Sequence, residues 1–191
     1  MMGPVMMGRH PTAPPSCNAP ALPGTLVDIT LTDMGGMMGP NGMMGPGMMG
    51  PPGNGGWNNQ QQDQFQWPHM GMMGRAGMMR ILVNPATVPA GQVSFRVFNS
   101  GWLTHELVVL PLAPGQSPGQ RAIGPDGKVD ESGSLGEAAR TCGAGDGEGI
   151  APGATGWTTI SLPPGRYELI CNVAGHYGAG MYTGLDVVSS R

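Results

Sequence analysis

The chain has 191 residues and a formal net charge of -3, with nine lysines and arginines in total. No basic stripe interleaved with aromatic residues is present, which excludes the electrostatic footprint of a nucleic-acid-binding protein. No stretch of the sequence is long and apolar enough to cross a bilayer. The 35 glycines, 20 prolines and 17 methionines exceed average usage, and most of this bias lies before Arg80. The length therefore predicts one domain plus low-complexity sequence.

The N-terminal part of the chain combines an irregular arm with a first strand. Residues 1–24 are rich in proline and lack periodicity, which predicts an arm without regular structure. No charged region followed by an apolar one is visible at the start, so we expect an export signal or membrane anchor to belong to a longer precursor. In residues 26–33, Val27, Ile29 and Leu31 alternate with polar residues, which predicts a half-buried strand.

Residues 36–76 contain four Met-Met-Gly units, set among glycine, proline and a polar, Gln-rich stretch. Such a backbone forms no helix of useful length, and thioethers on it pack no defined core. We interpret this segment as an insertion between the first two strands of a domain formed by residues 25–35 and 77–191. Because all but one of the 17 methionines lie before Arg80 and thioethers are soft ligands, two interpretations remain open. The segment binds additional Cu(I), or it is a mobile linker or adhesive surface.

Strand patterns resume after the Met-rich segment, at residues 80–85, 92–99, 105–110, 156–162, 166–172 and 182–188. Residues 111–153 are rich in glycine and acidic residues and predict a long excursion, in which residues 134–140 form one or two helical turns. Residues 162–167 predict a corner whose Tyr167 hydroxyl bonds back to the backbone. Short strands at this spacing, with few helices, predict an all-β protein with a Greek-key β-sandwich.

The stretch from Glu168 to Met181 carries Cys171, His176 and Met181 at five-residue intervals. A thiolate, an imidazole and a thioether are the soft set used by a copper site that cycles between Cu(I) and Cu(II), with Met as a weak axial ligand. A second imidazole is then required, and His105 supplies one at the head of an apolar, β-branched run. The predicted metal ligands are therefore His105, Cys171, His176 and Met181.

At these residues the chain resembles the cupredoxins, the small blue copper proteins. The spacing Cys-x4-His-x4-Met is similar to the longer ligand loops of rusticyanin, sulfocyanin and auracyanin. The segment Asn99-x-Gly101-x-x-x-His105 is also similar to the family. Many cupredoxins carry Asn directly after this His, where it ties the two ligand segments together, but this chain has Glu106. The resemblance implies a cupredoxin-like sandwich, one type 1 (blue) copper site, and His176 as the usual exit for electrons.

The resemblance further implies a one-electron carrier between extracytoplasmic redox partners, such as respiratory-chain components, in the periplasm, at the cell surface or secreted. The alternative is a copper-handling protein that captures or stores Cu(I) through its Met-rich segment. An enzyme is not expected, because four histidines, two of them already used, cannot build a trinuclear copper cluster. No Ser-His-Asp or Cys-His catalytic arrangement is suggested either.

The three cysteines leave one question open. If Cys171 is a copper thiolate, Cys17 and Cys142 are either a disulfide pair, which suits an oxidising compartment, or two unpaired thiols.

Overall fold

The computed structural model describes residues 17–33 and 79–189. In these ranges the chain forms nine strands: β1 (Thr25–Thr32), β2 (Arg80–Asn84), β3 (Thr87–Pro89), β4 (Gly91–Asn99), β5 (Leu107–Pro111), β6 (Gly136–Ala138), β7 (Thr155–Leu162), β8 (Gly165–Ile170) and β9 (Tyr182–Val188). The arm up to residue 16 and the predicted insertion at residues 36–76 lie outside the described residues. Within the described ranges, no helix has the length and apolarity that a membrane crossing requires.

The strands form two sheets with a common core between them. One sheet has the order β2-β1-β4-β7, and the other has the order β3-β9-β8-β5-β6. The β1–β4 and β3–β9 pairs are parallel, and the other strand pairs are antiparallel. The predicted all-β sandwich is thus confirmed.

The core is built by side chains that alternate along the strands, since successive residues point to opposite faces of a sheet. The alternating residues of β1 predicted to be buried, Val27, Ile29 and Leu31, all belong to the main buried cluster. Burial of each such side chain stabilises the fold by about 1.5–3 kcal/mol. Tyr167 and Leu169 on β8 belong to the same cluster. Cys171 directly follows β8 in the same alternation, and it too lies in this cluster, so its thiol points into the sandwich.

The outer face of the five-stranded sheet is covered by the long excursion after β5. A second buried cluster contains Val108, Leu110 and Ile170 from the sheet, with Val129 from the excursion and Tyr177 from the loop after β8. Strand β5 is therefore buried on both faces, which explains why its sequence is apolar at consecutive positions.

The predicted helical turn at residues 134–140 is wrong. This segment contains β6, which pairs antiparallel with β5 through Leu107 and Ala138. Leu, Glu and Ala are good helix formers, but intrinsic propensity is a weak determinant of structure, and pairing at the edge of the sheet overrides it here. Gly136 has a φ of 151°, a conformation that glycine adopts without strain.

The corner between β7 and β8 forms as predicted. The Tyr167 hydroxyl donates a hydrogen bond to the Pro163 carbonyl at 2.7 Å, and the ring is buried in the core. This bond fixes the start of β8, the strand that leads to Cys171.

Cys17 and Cys142 form a disulfide across 125 residues of sequence. The bond ties the end of the N-terminal arm to the excursion before β7. Cys171 remains as a buried thiol. Of the two alternatives for Cys17 and Cys142, the structure therefore shows the disulfide pair.

The disulfide predicts how many thiols can be alkylated. Unfolding without reductant should expose one thiol per chain, at Cys171, and unfolding with reductant should expose all three. Intact mass after alkylation measures both numbers. Three alkylated thiols without reductant would contradict the bridge.

A Cys17→Ser, Cys142→Ser variant should lose about 2–5 kcal/mol of unfolding free energy, because the open chain gains conformational entropy when it unfolds.

Candidate metal centre

His105 is held by the turn that follows β4. Its backbone forms two hydrogen bonds with Ile150, from His105 N–H at 3.2 Å and from Ile150 N–H at 2.6 Å. The buried Asn99 side chain accepts a bond from Gly101 N–H at 2.9 Å and donates to the carbonyls of Leu103 and Ile150. The Asn and Gly of the predicted motif therefore shape this turn, and the His105 ring is fully buried inside it.

Gly101 lies against the outer edge of the His105 ring. A Cβ at this position would lie 2.5 Å from Asp33 Oδ2 and 3.0 Å from His105 Nε2. A side chain would therefore displace either group. The absence of a side chain lets Asp33 Oδ2 approach His105 Nε2 to 3.1 Å.

The Cys171 sulfur lies where β8 meets the following loop. The backbone N–H groups of Glu106 and Val173 both donate to this sulfur, the first at 3.4 Å. The Cys171 N–H donates to the Met181 carbonyl at 3.1 Å. These contacts join the sulfur to the turn that carries His105 and to the far end of the ligand loop.

Three predicted ligand atoms meet at one point inside the sandwich. Nδ1 of His105 and Nδ1 of His176 are 3.1 Å apart, and the Cys171 sulfur lies 3.4 Å from the second and 3.8 Å from the first. The three side chains are buried. The structure thus brings together residues that are 66 to 71 positions apart in the sequence, as well as the local Cys–His pair.

The ligand loop returns Met181 to the core by a tight turn. Met181 N–H donates to the His176 carbonyl at 3.1 Å, which closes the five-residue interval between these residues. Gly175 and Gly180 have φ values of 83° and 96°, the left-handed region that favours glycine. Met181 is fully buried in the same cluster as Cys171. His176 is 9% exposed, whereas the other three predicted ligands are at 0%, so His176 is the ligand that reaches the surface.

Glu106 preserves a tie between the ligand segments even though it replaces the familiar Asn. Its carboxylate accepts a hydrogen bond from the Asn172 N–H, directly after Cys171. Burial and the neighbouring Glu131 raise the pKa of Glu106, and this hydrogen bond opposes the shift. The Asn172 side chain exchanges hydrogen bonds with the Val129 backbone. In this chain the two ligand segments are therefore linked through Glu106 and Asn172, and Asn172 also connects them to the excursion.

A buried polar network supports the other side of the ligand loop. Glu168 is fully buried on the outer face of β8 and accepts bonds from Arg121 Nε at 2.6 Å, Tyr177 Oη at 2.9 Å and Gly119 N–H at 2.7 Å. Tyr177 directly follows His176, and its hydroxyl also accepts the Arg121 N–H at 3.0 Å. The excursion thereby fixes the residue next to His176.

The protonation states of the buried ligands follow from desolvation. Burial lowers the pKa of His105 and of His176, so both imidazoles are neutral at neutral pH and can offer a nitrogen lone pair. Burial raises the pKa of the Cys171 thiol to about 12 in the metal-free protein. A metal that binds here must therefore displace the thiol proton.

The donor set fits copper. Nitrogen and sulfur ligands at about 2.0–2.3 Å from one ion lie roughly 3–4 Å from each other. The observed separations of 3.1, 3.4 and 3.8 Å fall in this range. Two imidazoles, one thiolate and a neighbouring thioether are the donors of blue copper sites, and the carboxylate oxygens of a magnesium or calcium site are not among them.

A buried Cys, His and His group at the end of a two-sheet β-sandwich defines a cupredoxin. Residues 72–191 match the sulfocyanin (SoxE) domain family, and the chain belongs to that family. It is therefore a blue copper protein with one type 1 site. Proteins of this class exchange electrons with redox partners and are typically not enzymes.

Solved structures of other blue copper proteins are also similar to this chain. Auracyanin from Roseiflexus castenholzii is 21% identical, with 56% of this chain and 86% of that chain covered and a TM-score of 0.39. Rusticyanin from Thiobacillus ferrooxidans is 18% identical, with 86% and 79% covered and a TM-score of 0.41. Auracyanin A from Chloroflexus aurantiacus is 23% identical, with 55% and 87% covered and a TM-score of 0.36. A comparison with curated protein sequences finds no match.

Asp33 and the network of Glu168, Arg121 and Tyr177 were not predicted as parts of the site. Asp33 ends the first predicted strand, where an acidic residue is an ordinary strand terminator. Glu168 and Tyr177 have a weak signal, because their positions flank Cys171 and His176. Arg121 lies in a loop without any pattern.

The Glu168 network predicts a large difference between two arginine substitutions. Arg121→Met removes the charge partner of a fully buried carboxylate, so we expect a loss of about 3 kcal/mol in unfolding free energy, the lower end for a buried pair because Arg121 itself is partly exposed. Arg166→Met is the matched control, because its ion pair with Asp186 is about half exposed and should contribute at most about 1 kcal/mol. Urea denaturation of the metal-free proteins measures both. Equal losses in the two variants would mean that the buried network does not support the loop.

Proposed function

We propose that this chain carries one electron at a time between extracytoplasmic redox partners, such as respiratory-chain components, through a copper ion held by His105, Cys171, His176 and Met181. The observation that carries the proposal is the approach of two imidazole nitrogens and one thiol sulfur to within 3.1–3.8 Å of one another in a buried site. Copper bound there would supply a one-electron couple between Cu(II) and Cu(I).

The surrounding residues support this role by keeping the ligands in place. His105 is fixed by Asp33 and by its backbone bonds to Ile150, and Cys171 is fixed by two N–H donors. His176 is followed by Tyr177, which the buried carboxylate of Glu168 holds. A site whose ligands move little between oxidation states needs little reorganisation when an electron arrives or leaves.

His176 is the proposed route by which electrons leave the protein. Its ring combines contact with the Cys171 sulfur at 3.4 Å with partial exposure at the surface. The loop around it contains Ala174, Gly175, Gly178 and Ala179, whose small side chains allow a redox partner to approach the ring closely.

The extracytoplasmic location is supported by the disulfide between Cys17 and Cys142. Disulfides persist in oxidising compartments such as the periplasm or the cell exterior and are rare in the cytosol. We accordingly place the protein in the periplasm, at the cell surface or among secreted proteins.

Titration of the metal-free protein with Cu(II) tests the electron-carrier function. We expect an intense blue thiolate-to-copper absorption and narrow hyperfine splitting in electron paramagnetic resonance, because the Cys171 sulfur would bind the ion directly. Both signals should be absent in Cys171→Ser. Copper that binds only as colourless Cu(I), in a ratio that follows the number of Met pairs, would contradict the carrier function.

A second function, capture or storage of Cu(I), is supported by the concentration of methionine before Arg80. The segment proposed to bind it, residues 36–76, can be removed without separating the ends of the domain. Strands β1 and β2 are antiparallel neighbours, and Thr32 pairs with Arg80, so the two strands that flank the insertion meet at these residues. The remaining residues can join them as a short hairpin loop.

Deletion of residues 36–76 tests the domain boundaries and the copper-handling function together. If residues 25–35 and 77–191 form one domain, the shortened protein should fold and keep its blue site. A lower Cu(I) stoichiometry in the shortened protein, measured by competition with a Cu(I) chelator, would support copper handling. An unchanged stoichiometry would eliminate that role for the segment.

A further inference from the structure

Asp33 places a carboxylate directly behind one of the proposed copper ligands. It follows the end of β1 and is only 6% exposed. One oxygen, Oδ2, lies 2.9 Å from Trp102 N, 2.9 Å from Leu103 N and 3.1 Å from His105 Nε2. The two backbone N–H groups donate to Oδ2, and hydrogen bonds of this kind favour the ionised form of a carboxyl group.

This contact determines which nitrogen of His105 faces the ligand cluster with a free lone pair. A carboxylate only accepts hydrogen bonds, so Nε2 must carry the ring proton. The lone pair of the neutral ring is then on Nδ1, the atom 3.1 Å from His176 Nδ1 and 3.8 Å from the Cys171 sulfur. Asp33 thus selects the tautomer that can bind a metal inside the site.

The Asp33 carboxylate is also held by the hydrogen bonds from Trp102 N–H and Leu103 N–H, so it would not follow the His105 ring if the ring moved. Trp102 and Leu103 belong to the same turn as His105, and the side chain of Asn99 braces that turn through the Leu103 carbonyl. The carboxylate also packs directly against Gly101, where an added Cβ would overlap Asp33 Oδ2. Hydrogen bonds therefore connect Asp33 both to the turn and to the ring that it carries.

We propose that Asp33 is a positioning residue that orients His105 and lowers the reduction potential of the copper centre. This inference depends on the proposed function, since it assigns a role to the surroundings of the same site. A carboxylate bonded to a metal-binding imidazole increases the basicity of that imidazole. Its negative charge, one ring away in a buried site, stabilises Cu(II) more than Cu(I), because the oxidised ion carries the larger charge.

The test compares the reduction potentials of the wild type, Asp33→Asn and Asp28→Asn. Asparagine keeps an oxygen that accepts from the two backbone N–H groups but removes the charge. We expect Asp33→Asn to shift the ratio of Cu(II) to Cu(I) affinities roughly ten-fold toward Cu(I), a rise of about 59 mV for a one-electron couple. Asp28→Asn is the matched control, with the same change on the same strand, an exposed position and a surface pair with Arg96. It lies roughly 16 Å from Asp33 along β1 by strand rise, so its potential should not change.

A second readout uses the metal-free protein. Nitrogen-15 NMR of the histidine rings should show His105 of the wild type with its proton on Nε2. In Asp33→Ala the ring should populate both tautomers, and Cu(II) should bind at least ten-fold more weakly. The metal-free measurement remains decisive if Asp33→Asn fails to fold, since it uses the wild-type chain.

The outcomes separate this inference from the proposed function. A wild-type protein without a blue copper signal would remove the proposed function itself. A blue wild type whose potential is the same in Asp33→Asn, or a wild-type His105 with its proton on Nδ1, would overturn the role of Asp33 and leave the electron-carrier function standing.

Discussion

Burial of the Cys171 thiol between two imidazoles is the constraint on which the rest of this structure depends. The alternation of β8 turns the thiol into the sandwich, and burial there favours its neutral form. Only groups that stabilise the thiolate can reverse this preference. The backbone N–H groups of Glu106 and Val173 provide part of that stabilisation, and a bound cation supplies the remainder. The fold thus builds a site in which the ligand gains its charge only together with the metal.

The two sheets and the excursion share the work of holding this site. The inner core fixes Cys171 and Met181, whereas the outer cluster fixes Tyr177, next to the ligand that reaches the surface. The excursion therefore does more than cover an apolar face, because its Arg121 closes a buried network around Glu168. Loss of order in the excursion would loosen the ligand loop from a distance.

The strands and the clustering of three of the four proposed ligands could be predicted because their signals are local or chemically specific. Alternation identified β1, and the rarity of a soft Cys, His and Met set identified the loop after β8. Asp33 could not be predicted, since it meets His105 across 72 positions and leaves no spacing pattern. The helical turn at residues 134–140 failed for a related reason: pairing with β5 is a long-range contact that outweighs local propensity.

The disulfide between Cys17 and Cys142 has a consequence for the pairings that remain open to Cys171. Three cysteines can form three different pairs in an unfolded chain, and two of those pairs would consume the thiol that the copper needs. Closure of the correct bridge removes both competing thiols. From that moment Cys171 can no longer be lost to a wrong pairing within the chain. The bridge therefore leaves Cys171 as the one cysteine of the chain that keeps its thiol for a metal ion.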